Sequence, residues 1–239
     1  MLYLVTGASG SGKTACLDIL RQRNPLVVWY DFDEVGVPTN ADKQWRHRTT
    51  EYWLERAIEN QATGLDTCIN GNIILGEVLA CPSAPEINRL AVCLLDCADV
   101  VRIDRLRARG SNGADMEMLC WAAWQRMHAV DPQWYQNTIR DDGAAEMHWE
   151  RWEDWEKGDA RWQTHVLDTT TLTIEEVAES ILPLAFPALP GKRLLAAPGC
   201  DADASLLAVV VLFVGVFGAS AAVESPAVLP SPVCAEPAD

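Results

Sequence analysis

With 239 residues, of which 49% are hydrophobic and 22% charged, the chain has the length and composition of a globular domain with room for an appendage. Its net charge of −15, without any block rich in Lys or Arg, argues against nucleic acid as a partner, because duplex binding needs a basic face. Eight cysteines without a C-x-x-C pair argue against a zinc site and predict structural thiols in a reducing cytosol.

Apolar runs and helical periodicity alternate along the chain. In chain order they predict a strand over residues 1–6, a helix over 13–23, a strand over 26–30, a helix over 41–60 and strands over 67–69 and 90–95. Helices over 99–109 and 115–129, a strand over 163–167, and a helix that begins at a Thr173–Glu176 capping box complete the order. This alternation predicts an α/β, three-layer fold, with helices on both faces of a central parallel sheet of about five strands. Right-handed crossovers would place the carboxyl ends of the strands at one edge, where ligands bind in such folds.

The composition changes after residue 182, where prolines interrupt the helical pattern and basic residues end at Arg193. We therefore predict a domain over residues 1–185 and a tail rich in Pro, Ala and Val over residues 186–239. Within the tail, residues 206–223 carry no charge, and this length is near the lower limit for crossing a bilayer. Acidic flanks favour an appendage and a cytoplasmic protein, and a tail anchor that leaves the domain in the cytosol is the alternative.

The segment GASGSGKT at residues 7–14 matches G-x-x-x-x-G-K-[ST] in full, between a predicted strand and a predicted helix. Its residues are Gly7, Ala8, Ser9, Gly10, Ser11, Gly12, Lys13 and Thr14. Glycines let the backbone curl so that N–H groups face phosphate oxygens, and the next helix aims its positive dipole end at the same phosphates. Lys13 is expected to reach the β- and γ-phosphates of ATP, and Thr14 to offer its hydroxyl to Mg²⁺. The motif predicts triphosphate binding without distinguishing a kinase from an ATPase.

Two aspartates, Asp31 and Asp33, directly follow the second predicted strand. In an extended conformation residues two apart face the same way, so we expect both carboxylates in one pocket. One can hold magnesium, and the other can orient or deprotonate an attacking hydroxyl. We favour Asp31 for the metal and Asp33 for the acceptor, but the residue types alone leave the opposite assignment open. The alternative is a solvated acidic turn.

The order of these parts resembles the small P-loop kinases of the nucleoside-monophosphate kinase and shikimate kinase group, over residues 1–185. Besides the glycine loop and an Asp31–Asp33 pair similar to that group's D-x-D, the resemblance rests on Asn70-Gly71-Asn72, on Arg102, Arg105 and Arg109, and on Leu167-Asp168-Thr169-Thr170. It implies ATP and Mg²⁺ as cofactors, substrate contacts near residues 70–72, arginines on a closing lid, and an adenine-side loop near residues 167–170. The chain departs from the shikimate pattern because no triple glycine follows the third strand, and residues 115–162 match no substrate motif.

The arginines Arg102, Arg105 and Arg109 fall at spacings of three and four, so they share one face of the predicted helix. Guanidinium groups suit transferring phosphates, and we predict catalytic roles for Arg102 and Arg105. The alternative is a solvated basic face that pairs with Asp99 and Asp104.

Three further groups of residues are open to more than one interpretation. Arg46 and Arg48 lie near the start of the long second helix, where a substrate anion could bind, although surface charges are the simpler interpretation. The ten tryptophans are interpreted as packing anchors, with an aromatic pocket for a planar substrate as the alternative. His128 is interpreted as a surface or capping residue, with substrate contact as the alternative.

Together these features predict an ATP- and magnesium-dependent kinase that phosphorylates a small molecule. The predicted catalytic residues are Lys13, Asp33, Arg102 and Arg105, and the predicted metal ligands are Thr14 and Asp31. One alternative is a nucleoside-monophosphate kinase, which needs extra arginines near the start of the second helix. The other is a nucleotide-binding regulatory ATPase without a small-molecule acceptor.

Overall fold

A computed structural model describes residues 1–110 and 113–185 of the chain. The predicted tail, including the apolar segment 206–223, lies outside the described residues. Across the described ranges, no helix combines the length and the apolarity needed to cross a membrane.

A five-stranded sheet forms the centre of the domain, and all of its strands are parallel. Its strands are β1 (Leu2–Thr6), β2 (Val27–Asp31), β3 (Asp66–Asn70), β4 (Leu90–Asp96) and β5 (His165–Asp168). They lie in the order β2-β3-β1-β4-β5. All residues of β1 are buried, because this strand occupies the centre of the sheet and is covered on both faces. The predicted three-layer α/β fold is confirmed.

Seven helices surround the sheet within the described ranges. They are α1 (Lys13–Arg23), α2 (Lys43–Ala62), α3 (Leu75–Ala80), α4 (Asp99–Arg109), α5 (Met116–His128), α6 (Asn137–Arg140) and α7 (Ile174–Ala185). Helices α3 and α6 were not predicted, because they are too short for a periodic pattern. The capping box of α7 is confirmed: the Thr173 N–H donates to Glu176 Oε2 (2.8 Å), and the Glu176 N–H donates to Thr173 Oγ1 (3.2 Å).

Two separate cores lie on the two faces of the sheet. On one face, Leu20 of α1 and Ile181 of α7 pack with Val5 of β1, and all three are fully buried. On the other face, Leu54 of α2 joins the tryptophan-rich part of the chain. The alternation of side chains along β1 divides its residues between the two cores, as expected for a strand buried on both sides.

The tryptophans pack as predicted, but His128 does not lie at the surface. Its imidazole is 2% exposed and stacks on Trp124, with 4.6 Å between ring centroids, while Trp162 packs edge-on at 5.0 Å. Burial lowers the pKa of His128 to about 4, so the ring is neutral at physiological pH. The surface or capping interpretation was wrong, because the chain after α5 folds back over the last turn of this helix and covers it.

Candidate functional site

The glycine loop joins the carboxyl end of β1 to the start of α1. Gly7 has a φ of 143°, and a Cβ atom there would lie 2.2 Å from the carbonyl oxygen of Leu95, so no other residue fits. Gly12 has a φ of 103°, but a Cβ atom there would meet no atom within 4 Å. The inner side of the loop is therefore open at its helical end, as a site for a bulky anion requires.

Donors outside the loop hold its carbonyl groups in place. The pairs are Arg102 Nη1 to Ser9 O (2.8 Å), Arg105 Nη1 to Gly10 O (3.3 Å) and Thr169 Oγ1 to Ser11 O (2.9 Å). The C=O and N–H of a trans peptide point in opposite directions. Anchoring Ser9 and Ser11 by their oxygens therefore turns the N–H groups of Gly10 and Gly12 away from these anchors, where they can donate to a phosphate.

Lys13 lies at the start of α1 with its ammonium group inside the loop. Its Nζ donates to the carbonyl oxygen of Gly7 at 2.5 Å. Burial, reinforced by the positive charge of Arg102, lowers the pKa of Lys13 to about 8, although Asp33 and Asp31 oppose the shift. A polyphosphate beside this ammonium would favour its charged form, so the loop residues fit a nucleotide's phosphates.

Asp31 and Asp33 line the same cleft, but an extended backbone does not place them there. Asp31 ends β2, whereas Asp33 lies in a 3-10 turn, Phe32–Val35. Asp31 Oδ1 accepts the N–H of Asp33 at 3.1 Å and so caps this turn. Burial and the charge of Asp31 raise the pKa of Asp33, against the opposing effect of Lys13. A raised pKa makes the Asp33 carboxylate a better proton acceptor.

A cleft of about 530 Å³ brings the loop and the aspartates together, within the usual size range of a small-molecule site. Its lining residues include loop residues 9–15, Asp31, Asp33, Gly71, Asn72, Arg105, Arg109 and Thr169. The Thr14 hydroxyl and the Asp31 carboxylate are the oxygen donors that Mg²⁺ prefers. The chemistry of these donors fits magnesium beside the phosphate loop.

The three arginines of α4 do not share one environment. Arg105 and Arg109 line the cleft, and Arg105 Nη2 also donates to Thr169 O at 2.7 Å. Arg102 is fully buried, and its Nη2 lies 2.6 Å from Asp96 Oδ1. It faces the outer side of the loop rather than the cleft, because its position on α4 packs against the end of β4. Direct contact between Arg102 and a transferring phosphate does not fit this location.

Arg46 lies 5.3 Å from the ring centroid of Trp121, and its guanidinium group is already paired with Glu77. Its Nε and Nη2 contact Glu77 Oε1 at 2.9 and 2.5 Å, and the Glu77 side chain is fully buried. Burial alone would raise the pKa of Glu77, but Arg46 and His47 outweigh it, and the pKa falls. Glu77 is an acid within the apolar helix α3, and no sequence signal identified it. Arg48 is exposed, as its interpretation as a surface charge requires, and bonds to Gln44 at 2.8 Å. Neither arginine is among the residues that line the cleft.

Asn72, just beyond β3, lines the cleft and is held by helix α5. Trp121 Nε1 lies 3.3 Å from Asn72 Oδ1, and Gln125 Nε2 lies 2.5 Å from the same oxygen. Sequence reasoning placed Asn72 near the substrate through a resemblance, but it missed Trp121 and Gln125 as its partners. The spacing of four residues on α5 puts both on one helix face, yet nothing in the sequence indicates what they contact.

Residues 4–128 match the family model described as "AAA domain" (AAA_18). No curated protein matches the chain. Among solved structures, a sugar kinase from Janibacter sp. HTCC2649 is 16% identical with a TM-score of 0.48, covering 78% of this chain and 95% of that one. An uncharacterized protein from Eubacterium ventriosum ATCC 27560 is 10% identical with a TM-score of 0.45, covering 79% of this chain and 99% of that one. A gluconokinase from Sinorhizobium meliloti 1021 is 16% identical with a TM-score of 0.41, covering 75% of this chain and 88% of that one. These similarities are too distant to transfer a substrate.

Proposed function

The chain belongs to the AAA domain family, and on that premise we propose that it is a kinase that transfers the γ-phosphoryl group of ATP to a hydroxyl of a small molecule. One observation carries the proposal: the glycine loop, Lys13 and the carboxylate of Asp33 line a single cleft. A protein that only binds a nucleotide needs the loop, but it does not need a second carboxylate with a raised pKa in the same cleft.

The loop and its neighbours would hold the polyphosphate and a magnesium ion. N–H groups of the loop and Lys13 would neutralise phosphate charge, and Thr14 with Asp31 would hold the metal. When bound, ATP supplies the phosphoryl group and Mg²⁺ offsets its charge. Arg105 and Arg109 line the same cleft and place positive charge beside it.

Asp33 would act on the acceptor. Its carboxylate accepts a hydrogen bond from the acceptor hydroxyl, which orients the oxygen toward the γ-phosphorus. A new bond forms between this oxygen and phosphorus while the bond to the bridging oxygen of ADP breaks, and the hydroxyl proton passes to Asp33. Products are ADP and the phosphate ester.

Arg102 takes a positioning role in this proposal. It holds the Ser9 carbonyl and the Asp96 carboxylate, and it reaches neither substrate. Asp96 also accepts from Arg126 Nε at 2.5 Å, so one carboxylate joins the loop support to helix α5.

The test uses the purified chain with γ-labelled ATP and magnesium. Two pools of acceptors are tested, one of neutral sugars and sugar alcohols and one of nucleoside monophosphates. A third reaction contains no acceptor. Calorimetry measures nucleotide binding in parallel. Label in a new ester in the first pool supports the proposal. Label only in nucleoside diphosphates favours a nucleoside-monophosphate kinase, and hydrolysis at a rate that no pool changes favours a regulatory ATPase. Absence of nucleotide binding contradicts all three.

A further inference from the structure

The orientation of the Asn72 carboxamide follows from its contact with Trp121. An indole N–H can only donate a hydrogen bond, so the Asn72 atom that faces Trp121 Nε1 must be the carbonyl oxygen. Gln125 Nε2 donates to the same oxygen, and both contacts are consistent with one another. Within the described residues Nδ2 has no hydrogen-bond partner, which leaves a two-proton donor on a residue that lines the cleft.

Trp121 is held firmly enough to impose this orientation. Its ring stacks on Trp124, with 5.0 Å between centroids and 15° between planes, and the Arg46 guanidinium lies 5.3 Å from its centroid. Arg46 is in turn fixed by the buried carboxylate of Glu77. These contacts restrict rotation of the indole, so its N–H holds one position and one direction.

The charges on this side of the cleft argue against an acceptor that carries its own phosphate. Two donor atoms of Arg46 are committed to Glu77, and Arg48, two residues further along α2, is exposed. Asn72 offers an uncharged hydrogen-bond donor, whereas the Asp33 carboxylate offers a hydrogen-bond acceptor. This pair of groups in one cleft matches a substrate with two neighbouring hydroxyls. One hydroxyl donates a hydrogen bond to the Asp33 carboxylate, and the other accepts one from the Asn72 amide.

We propose that Asn72 is a specificity-determining residue for the acceptor, which it contacts through Nδ2, and that the acceptor is a neutral polyhydroxy compound of the sugar or sugar-alcohol class. Trp121 and Gln125 are positioning residues, because they act only through Asn72. The proposal rests on the proposed kinase function and adds to it the class of acceptor and the residues that select it.

The test measures KM and kcat for each neutral sugar or sugar alcohol that becomes labelled, together with the Kd for magnesium-ATP. Asn72→Ala removes the donor without adding charge, and Asn72→Asp keeps the shape while replacing the donor by an oxygen. Either change is expected to raise the acceptor KM by about tenfold to a hundredfold, the cost of losing one buried hydrogen bond, with Kd for ATP unchanged. Trp121→Phe keeps the stacked ring but loses the N–H, so it should raise KM by a smaller factor.

Trp155→Phe is the matched control, since it also removes one indole N–H, but from a residue that does not line the cleft. It should leave the acceptor KM unaltered. Equal KM values in the wild type and in Asn72→Ala or Asn72→Asp would overturn the proposal. So would transfer to nucleoside monophosphates alone, or no transfer to any neutral polyol by a protein that binds ATP. Loss of ATP binding in the wild type itself would instead remove the kinase function on which the proposal rests.

Discussion

The phosphate loop and the wall around Asn72 form two sides of one cleft, but they are built differently. The loop is one run of eight residues in which backbone N–H donors act together with the side chains of Lys13 and Thr14. The wall consists of side chains from distant parts of the chain, with Asn72 after β3 and Trp121 and Gln125 on α5. Backbone donors stay in place when most side chains are substituted. A surface made of side chains, in contrast, changes the molecule that it prefers to bind with each substitution. The first design suits a cosubstrate common to many enzymes, and the second suits an acceptor particular to one.

The largest effect is expected on the loop side, from Lys13→Met. This change should lower turnover on the order of 10³-fold, because it removes the cation that faces the phosphates. The free energy of unfolding should not fall, since an apolar chain of similar length replaces a desolvated ammonium. Transfer of γ-label and urea unfolding measure the two quantities. Full activity in this variant would mean that the phosphate site is assigned wrongly.

Asp33→Asn tests the carboxylate that lies between the two sides. It should lower kcat by about 10²- to 10³-fold, because the acceptor proton loses its base, while Kd for ATP changes little. Glu34→Gln is the control: Glu34 is the next residue, it pairs with Arg21 at 2.8 Å, and it does not line the cleft. Steady-state rates and calorimetry compare both variants. An unchanged kcat in Asp33→Asn would remove this residue from the mechanism.

Arg102→Met separates loop support from catalysis. Removing one member of a buried ion pair should cost about 3 kcal/mol of unfolding free energy, at the low end of the range because Arg126 still contacts Asp96. Arg105→Met removes hydrogen bonds to neutral groups and should cost about 1 kcal/mol. Urea unfolding of both variants gives the comparison. If Arg102→Met lowers kcat at unchanged stability, Arg102 acts on the reaction rather than on the loop.

The smallest expected effect is the dependence of ATP binding on pH. With the pKa of Lys13 near 8 in the free protein, raising the pH above 8 removes its charge, and affinity should fall by up to about tenfold per pH unit. Bound phosphate favours the protonated amine, so binding above pH 8 should take up protons. Calorimetry in two buffers of different ionisation enthalpy detects this uptake. Lys13→Arg stays charged and should give a flat profile, and the same slope in both proteins would assign the titration to another group.

Much of the loop side was predictable because its determinants are local. The bounds of α1 and α4 agree with the predicted helices, and the predicted strands agree with the structure to within two residues at each end. Asp31 and Asp33 were expected in one pocket and do line one cleft, although a 3-10 turn rather than an extended chain brings them there. The roles of these residues in catalysis stay predictions that the experiments above test.

The amino-acid sequence alone determined the alternating α/β order and the phosphate loop, because hydrophobic period and glycine geometry act over a few neighbouring residues. Only the tertiary structure decided that Arg102 is buried against the loop while Arg105 and Arg109 line the cleft, since the spacing of residues on a helix gives no direction of packing. It alone also paired Glu77 with Arg46 and Asn72 with Trp121. These contacts join residues more than thirty positions apart, and such pairs form only when the sheet and its helices pack.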